Sequence, residues 1–287
     1  MGAFLALTSA VCYGIVDFTG GLLSRRAHFA TVTLLGQFGG LLLAVAAALL
    51  VPADAVRPAD LLWGALSGVG SGAAMHHLNR GLSRGAMSTV VPVSAVTSVA
   101  LSVLCGVLLL GDRPGPLAWT GFAVTVPALW LVADDGRGRP REDARRPPRT
   151  GPATGITDGL LASAGVAVQY LALGQADPTS GLWPVAAGRV AAVLVLLPVA
   201  ARHGRELRLP AWRCVQALLI GAGAALGLIL YLLAAQRQLL AVAVVLASLY
   251  PALPVVLGFA LLHEPLTVRR AVGLTGAALA TVLLTLG

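Results

Sequence analysis

The sequence contains no lysine, so all 20 of its basic side chains belong to arginine. A nucleotide-binding loop of the G-x-x-x-x-G-K type requires a lysine, and its absence argues against a nucleotide-driven pump. Charged residues of both signs make up only 11% of the 287 residues. The arginines lie in short gaps between apolar runs rather than along one face or arm. Nucleic acid is therefore not an expected partner, despite the net charge of +8.

Catalytic and metal-binding motifs are equally scarce. The sequence has no H-E-x-x-H, no G-x-S-x-G and no paired acidic residues inside an apolar run, which disfavours an intramembrane enzyme. His76 and His77 have no further ligands at a spacing that fits a metal site. Cys12, Cys105 and Cys214 fall in or beside apolar runs without disulfide or metal spacing, and we interpret them as small apolar core residues. No cofactor or metal is expected.

Apolar residues dominate the chain: they make up 57% of it and give a mean hydropathy of +0.85. Runs long enough to cross about 30 Å of hydrocarbon recur from one end to the other. Because backbone polar groups in lipid need partners within their own segment, and the runs are too long for barrel strands, we expect helices. The sequence predicts an all-α polytopic membrane protein with ten transmembrane helices, near residues 3–23, 30–51, 61–78, 86–110, 116–132, 156–175, 181–201, 212–235, 239–262 and 268–286. The first run has no basic leader and no clear cleavage site, so we interpret it as a retained span.

One polar segment, DDGRGRPREDARRPPRT at 134–150, interrupts the apolar runs. It is too polar and too rich in proline to fold alone. We therefore divide the chain into a first five-helix repeat at 1–133, a basic polar linker at 134–155 and a second five-helix repeat at 156–287.

The two halves share landmarks at a nearly constant offset of 152 or 153 residues. Because each half has an odd number of spans, the second half must cross the membrane inverted relative to the first. Inverted repeats are a frequent basis of alternating access in secondary transporters, whereas two unequal repeats do not supply the polar ring of a channel. The landmark pairs are Gly106/Gly258, Asp112/Glu264, Gly121/Gly273, Gly36-Gln37/Gly188-Arg189, Gly68/Gly221 and Gly70/Gly223.

Arginine placement predicts the orientation. The loops after spans one, three, five, seven and nine, with the adjoining span ends, hold sixteen arginines, and the opposite loops hold three. By the positive-inside rule the crowded loops face the cytoplasm and both termini face outward. The predicted location is a bacterial inner membrane, crossed many times.

Two ionisable residues lie inside predicted spans, where a charge is costly. Arg189 lies well inside span seven, and its guanidinium could bind an anionic substrate group by a forked contact or hold the two halves together. Asp17 lies in span one, where it could pair with Arg189, carry a proton or form a structural salt pair. Asp112 and Glu264 lie at span ends near water, where capping or loop anchoring is the simpler interpretation. His76, near the inner end of span three, is a further candidate for proton coupling, with an interfacial polar belt as the alternative.

Neutral polar and aromatic residues inside spans complete a candidate cavity, although bonding to a neighbouring helix is the commoner fate of such groups. Prolines inside spans indicate bent or hinged segments, or static kinks that only improve packing. We take span nine as the candidate moving gate. The cavity residues are Tyr13, Gln37, Gln169, Tyr170, Tyr231, Ser248 and Tyr250, and the hinge candidates are Pro92, Pro251 and Pro254.

The phrase PALPVVLGFALLHEPL followed by RRAVGLTGAALATVLL, and the Gly188-Arg189 pair in the second span of a repeat, resemble the EamA-like branch of the drug/metabolite transporter superfamily. The resemblance covers essentially the whole chain. It implies a polytopic carrier with a central cavity that moves small metabolites, amino acids or drugs. Asp112 stands where the family usually has glutamate, and Gln37 stands where the first repeat often has arginine.

Together these features predict a secondary carrier of small metabolites, amino acids or drug-like compounds, with export as the expected direction. It would work by alternating access around a midplane cavity, with Arg189 contacting the substrate. A non-transporting membrane scaffold or receptor-like protein is the alternative. The expected partners are a small-molecule substrate and the lipid bilayer, and the sequence leaves homodimerisation open.

Overall fold

A computed structural model describes residues 2–105, 107–108, 115–133, 152–202, 209–237, 250–262 and 267–286. These residues form ten α-helices and a short 3-10 turn, and no strand occurs among them. The prediction of an all-α protein is confirmed. The helices are α1 Gly2–Arg26, α2 Phe29–Leu50, α3 Pro58–Arg84, α4 Met87–Cys105, α5 Pro116–Ala133, α6 Pro152–Leu173, α7 Trp183–Ala201, α8 Ala211–Arg237, α9 Ala252–Leu262 and α10 Val268–Leu286.

Several predicted features lie outside the described residues. They are Asp112, Glu264, Ser248, Gly106 and most of the linker at 134–155.

Helix lengths follow from apolar runs and their boundaries. In the part of the chain that the structure describes, five helices are long and apolar enough to cross a membrane, namely those within α1, α2, α6, α7 and α8, and shorter apolar helices lie within α4, α5, α9 and α10. Helices α3 and α5 begin at Pro58 and Pro116. Proline suits a first helical position, because its missing N–H would have no partner there. These helix lengths alone do not establish ten membrane spans or two inverted repeats.

The densest packing joins helices from the two halves of the chain. Helix α3 packs against α6 and α7, and α8 packs against α1 and α2, with α2 also touching α7. These six helices form a core in which each half interlocks with the other. Helices α5 and α10 pack together beside it, and α4 contacts α6, α9 and α10.

Glycines bring the core helices into backbone contact. A Cβ added at Gly68 of α3 would overlap the backbone of Gly188 in α7. A Cβ added at Gly221 of α8 would likewise overlap the backbone of Gly36 in α2. Close approach of this kind requires a residue without a side chain, and it is the usual way that helices associate in lipid. These crossings therefore fix α2 and α7, the two helices that carry Gln37 and Arg189.

A polar clasp ties the loop before α3 to the loop before α7. The Asp60 carboxylate is buried and accepts hydrogen bonds from the Ser180 hydroxyl at 2.7 Å and from the backbone N–H of Asp177 at 3.0 Å. Arg57 donates to Asp177 at 3.0 Å. The backbone N–H and hydroxyl of Thr179, with the Arg57 charge, hold the pKa of the Asp177 carboxyl below its ordinary value. We call Arg57, Asp60, Asp177, Thr179 and Ser180 the Asp60 clasp.

Removing the central carboxylate of the Asp60 clasp should destabilise the fold. In Asp60→Ala, the Ser180 hydroxyl and the Asp177 N–H lose their acceptor, which should cost roughly 2 kcal/mol and lower the melting temperature by about 5 °C. The measurement is thermal unfolding of the detergent-solubilised chain. Asp54→Ala is the matched control, because Asp54 is exposed in the same loop. Equal melting temperatures in the two variants would contradict a structural role for the clasp.

Candidate functional site

A cavity of about 370 Å³ lies between the six-helix core and α4. Side chains from α1, α2, α3, α4, α6, α7, α8 and α10 line it, together with Tyr250 just before α9. Every residue predicted for substrate binding contributes to this lining, and so does Asp17. Those residues are Tyr13, Gln37, Gln169, Arg189, Tyr231 and Tyr250. Their roles in binding stay predictions.

Arg189 is the cation of the cavity wall. It lies about 9 Å along α7 from Trp183, at 1.5 Å per residue, and only 6% of its surface is exposed. Its Nη1 donates a hydrogen bond to Gln37 Oε1 at 2.7 Å. Glycine at position 40 leaves room for the stem, because a Cβ there would lie 3.4 Å from Arg189 Nε. No other hydrogen bond from the guanidinium occurs among the described residues, so its Nε and Nη2 edge has no acceptor among them.

Asp17 is the anion of the same wall. It is buried in α1 and lines the cavity. Among the described residues it forms no ion pair with Arg189 and no hydrogen bond. Its electrostatic neighbours are Tyr13, Tyr170 and Tyr250. The alternative of a structural salt pair between the two charges is therefore not realised in this structure.

All four tyrosines of the chain line the cavity. The rings of Tyr13 and Tyr250 are tilted at 57°, with centroids 6.1 Å apart. Tyr170 lies close to Tyr13 in the same wall. Gly227 gives the Tyr13 ring its space, since a Cβ at that position would lie 3.1 Å from the ring. The tyrosines supply apolar faces for a ligand together with hydroxyls that can donate or accept.

The sequence did not lead us to predict a row of serines on α4 as cavity residues. Ser94, Ser98 and Ser102 recur every fourth residue and all line the cavity. Spacing of four places side chains on one helical face, and that spacing is the signal that could have revealed them. The chain's one asparagine, Asn79, also lines the cavity and donates to Thr33 Oγ1 at 2.9 Å.

The histidine pair lies away from the cavity lining. The His76 ring packs edge-on against Phe29, with centroids 5.1 Å apart. His77 instead places Nδ1 3.6 Å from a carboxylate oxygen of the buried Asp158, and Arg80 Nε lies 3.8 Å from the same oxygen. The carboxylate contact thus belongs to His77, while proton coupling through His76 stays a prediction.

The predicted hinge prolines occupy three different settings. Pro92 lies inside α4. Pro254 lies inside α9 and is fully buried, and Pro251 lies in the turn just before that helix. The adjoining chain packs closely on α1, because a Cβ at Gly14 would lie 2.7 Å from Leu253 Cβ.

Comparisons with known proteins give one family and one fold. A family model described as the EamA-like transporter family matches residues 1–133 and 153–286. A comparison with curated proteins finds no match. One solved crystal structure is similar over 99% of this chain and 98% of its own, with a TM-score of 0.60 and 15% sequence identity. At that identity the similarity shows a shared fold and nothing about substrate.

Proposed function

Because the chain belongs to the EamA-like transporter family, within the drug/metabolite transporter superfamily, we propose that this multi-pass membrane protein is a secondary carrier. It exports a small metabolite, amino acid or drug-like compound through the cavity that Arg189 and Asp17 line. The observation that carries the proposal is a buried guanidinium that lines a cavity large enough for a small molecule and whose Nε and Nη2 donor edge has no acceptor among the described residues. Such an edge matches the paired oxygens of a carboxylate or a similar anion.

Equivalent contacts in the two halves support an inverted repeat. Gln37 and Arg189 occupy matching positions 152 residues apart and bond to each other. The contact between Gly36 and Gly221 has its counterpart in the contact between Gly188 and Gly68, at nearly the same offset. Inverted repeats with a cavity between them are a frequent basis of alternating access.

The packing also favours particular moving parts. Backbone contacts at the glycine crossings join the six core helices across the two halves of the chain. We assign the movement to α4, α5, α9 and α10, of which α4 and α10 line the cavity beside the core. Pro92 and Pro254 lie in the two helices of this layer nearest the core, where a proline can act as a hinge.

Charge at the two ends of the bundle supports an orientation with both termini outside. Asp60 and Asp177 meet at one end. Their repeat counterparts are Arg213 and Arg25, which lie at the other end, where Arg213 donates to the backbone carbonyl of Arg26 at 2.9 Å. Matching positions thus carry acids at one end and arginines at the other. The positive-inside rule places the arginine end in the cytoplasm of a bacterial inner membrane.

Asp17 is the candidate for proton coupling, because its carboxylate is buried and lacks a cationic partner among the described residues. We expect Asp17→Asn to lose gradient-driven accumulation in inverted membrane vesicles, down to the level seen with a protonophore. Exchange down a concentration gradient should continue when the substrate is supplied at a saturating concentration. Asp54→Asn, at an exposed loop position, is the matched control. Protonophore-sensitive accumulation that persists in Asp17→Asn would show that the coupling group lies elsewhere.

The carrier proposal is tested by comparing metabolites inside and outside cells that express the intact chain with those of an empty control. We expect at least one class of small molecule to rise outside and fall inside, which gives both substrate and direction. Addition of that compound to vesicles should then show saturable movement. If no compound shifts under several growth conditions, and function depends on loops rather than on the cavity, the protein is a scaffold or receptor.

A further inference from the structure

The two charges of the cavity occupy positions that the repeat relates to neutral amides. Arg189 lies 152 residues after Gln37, and Gln169 lies 152 residues after Asp17. All four side chains line the same cavity. Each half of the chain therefore contributes one charge and one amide, the acid in the first half and the base in the second.

Both amides line walls that Arg189 also lines. Gln37 accepts its hydrogen bond at 2.7 Å. Gln169 shares with it the wall of a small adjoining cavity, together with Ser67 and Ser71. An arginine at position 37 would put a second cation beside the first, and an aspartate at position 169 would give Arg189 an internal counter-charge. With an amide at both positions, Arg189 keeps one uncompensated positive charge.

Asp17 is left in the corresponding condition. Among the described residues it meets no cation, and its electrostatic neighbours are Tyr13, Tyr170 and Tyr250. A buried carboxylate without a cation is costly. A positively charged ligand group would offset that cost, and tyrosine faces attract cations as well.

We infer that Gln37 and Gln169 are specificity-determining residues that keep Arg189 and Asp17 as two separate, singly charged half-sites, so that the substrate carries one anionic and one cationic group. The inference rests on the carrier function proposed above and names the charge pattern of its substrate. The anionic group meets the Nε and Nη2 edge of Arg189. The cationic group, an ammonium or a similar centre, meets the carboxylate of Asp17 among the tyrosines.

Three probes on one aromatic frame test this charge pattern: benzoate, benzylamine and para-(aminomethyl)benzoate. Their dissociation constants are measured by titration of the detergent-purified full chain at fixed pH. The dipolar probe is expected to bind at least about tenfold more tightly than either singly charged probe, since each charged contact contributes on that scale. Equal affinity for benzoate and the dipolar probe would show that Asp17 takes no cationic group of the ligand and would overturn the inference. A dipolar probe that does not bind would also overturn it.

Nearly isosteric variants test the amides themselves. Gln37→Glu and Gln169→Glu each place a carboxylate beside Arg189, so both carboxylate probes should weaken by about tenfold or more relative to benzylamine. Either variant suffices if the other fails to fold. Gln175→Glu makes the same chemical change at an exposed position outside the cavity and should leave the ratios unchanged. Unchanged ratios in a folded cavity variant would overturn the inference. If the protein shows the expected ratios of dissociation constants but transports no compound, the carrier proposal is wrong and the inferred charge selectivity is retained.

Discussion

Alanine in place of Arg189 is expected to lower transport by at least about tenfold at equal membrane abundance, because a charged hydrogen bond to the substrate is lost. The guanidinium is a cationic group lining the cavity, and among the described residues only its Nη1 is engaged, by Gln37. The measurement is initial rate of export of the compound that intact cells release. Arg189→Lys should recover only part of the rate, since an ammonium keeps the charge but not the planar fork.

The control must separate loss of binding from loss of fold. Arg84→Ala removes an arginine that is exposed at the end of α3 and should leave export unchanged. The alanine at position 189 also leaves Gln37 Oε1 without its donor, but the cavity has room for water to replace it. Melting temperatures within a few degrees of the intact chain would show that the fold is kept. Full export by Arg189→Ala would leave the carrier standing and show that the arginine is structural.

The fold was readable from sequence wherever a single segment decides it. Apolar runs bounded by Pro58, Pro116 and short polar gaps specify helices, because lipid leaves the backbone no alternative. Arg189 and the tyrosines were equally visible, since a polar side chain in an apolar run is costly unless it lines a cavity or meets a partner. The paired glycines at a nearly constant offset were the basis for predicting two repeats.

Features that depend on contacts between two distant segments could not be predicted from the sequence. Spacing alone could not show that α3 packs on the opposite half of the chain. Nor could it show that Arg189 meets Gln37 rather than Asp17. Ser94 and Ser98 were overlooked because a serine in a membrane helix commonly bonds its own backbone, as Ser98 does to the Ala95 carbonyl at 2.8 Å. His76 and His77 are adjacent, and the sequence did not show which of them would lie near a carboxylate; in the structure His77 lies near Asp158.

Two glycines face each other across the α2 and α8 crossing, and alanine is expected to destabilise the fold strongly at one of them and hardly at all at the other. In Gly221→Ala the new methyl group overlaps the backbone of Gly36, which cannot move without separating the helices. The cost should be roughly 3 kcal/mol or more, with a melting temperature lower by about 5–10 °C. Membrane abundance should fall as well, because this crossing joins the two halves of the chain.

Gly36→Ala is the matched control, made at the other side of the same contact. Its methyl group would lie 3.7 Å from the Ala217 carbonyl oxygen and 3.9 Å from Gly221 Cα, which are ordinary contact distances. Alanine also favours the helix over glycine, so stability should change by no more than about 0.5 kcal/mol. Both variants are compared by thermal unfolding in detergent and by abundance in the membrane. If both variants have the same melting temperature, the helices are not in tight contact on the α8 side. The proposal that movement is confined to α4, α5, α9 and α10 would then have to be abandoned.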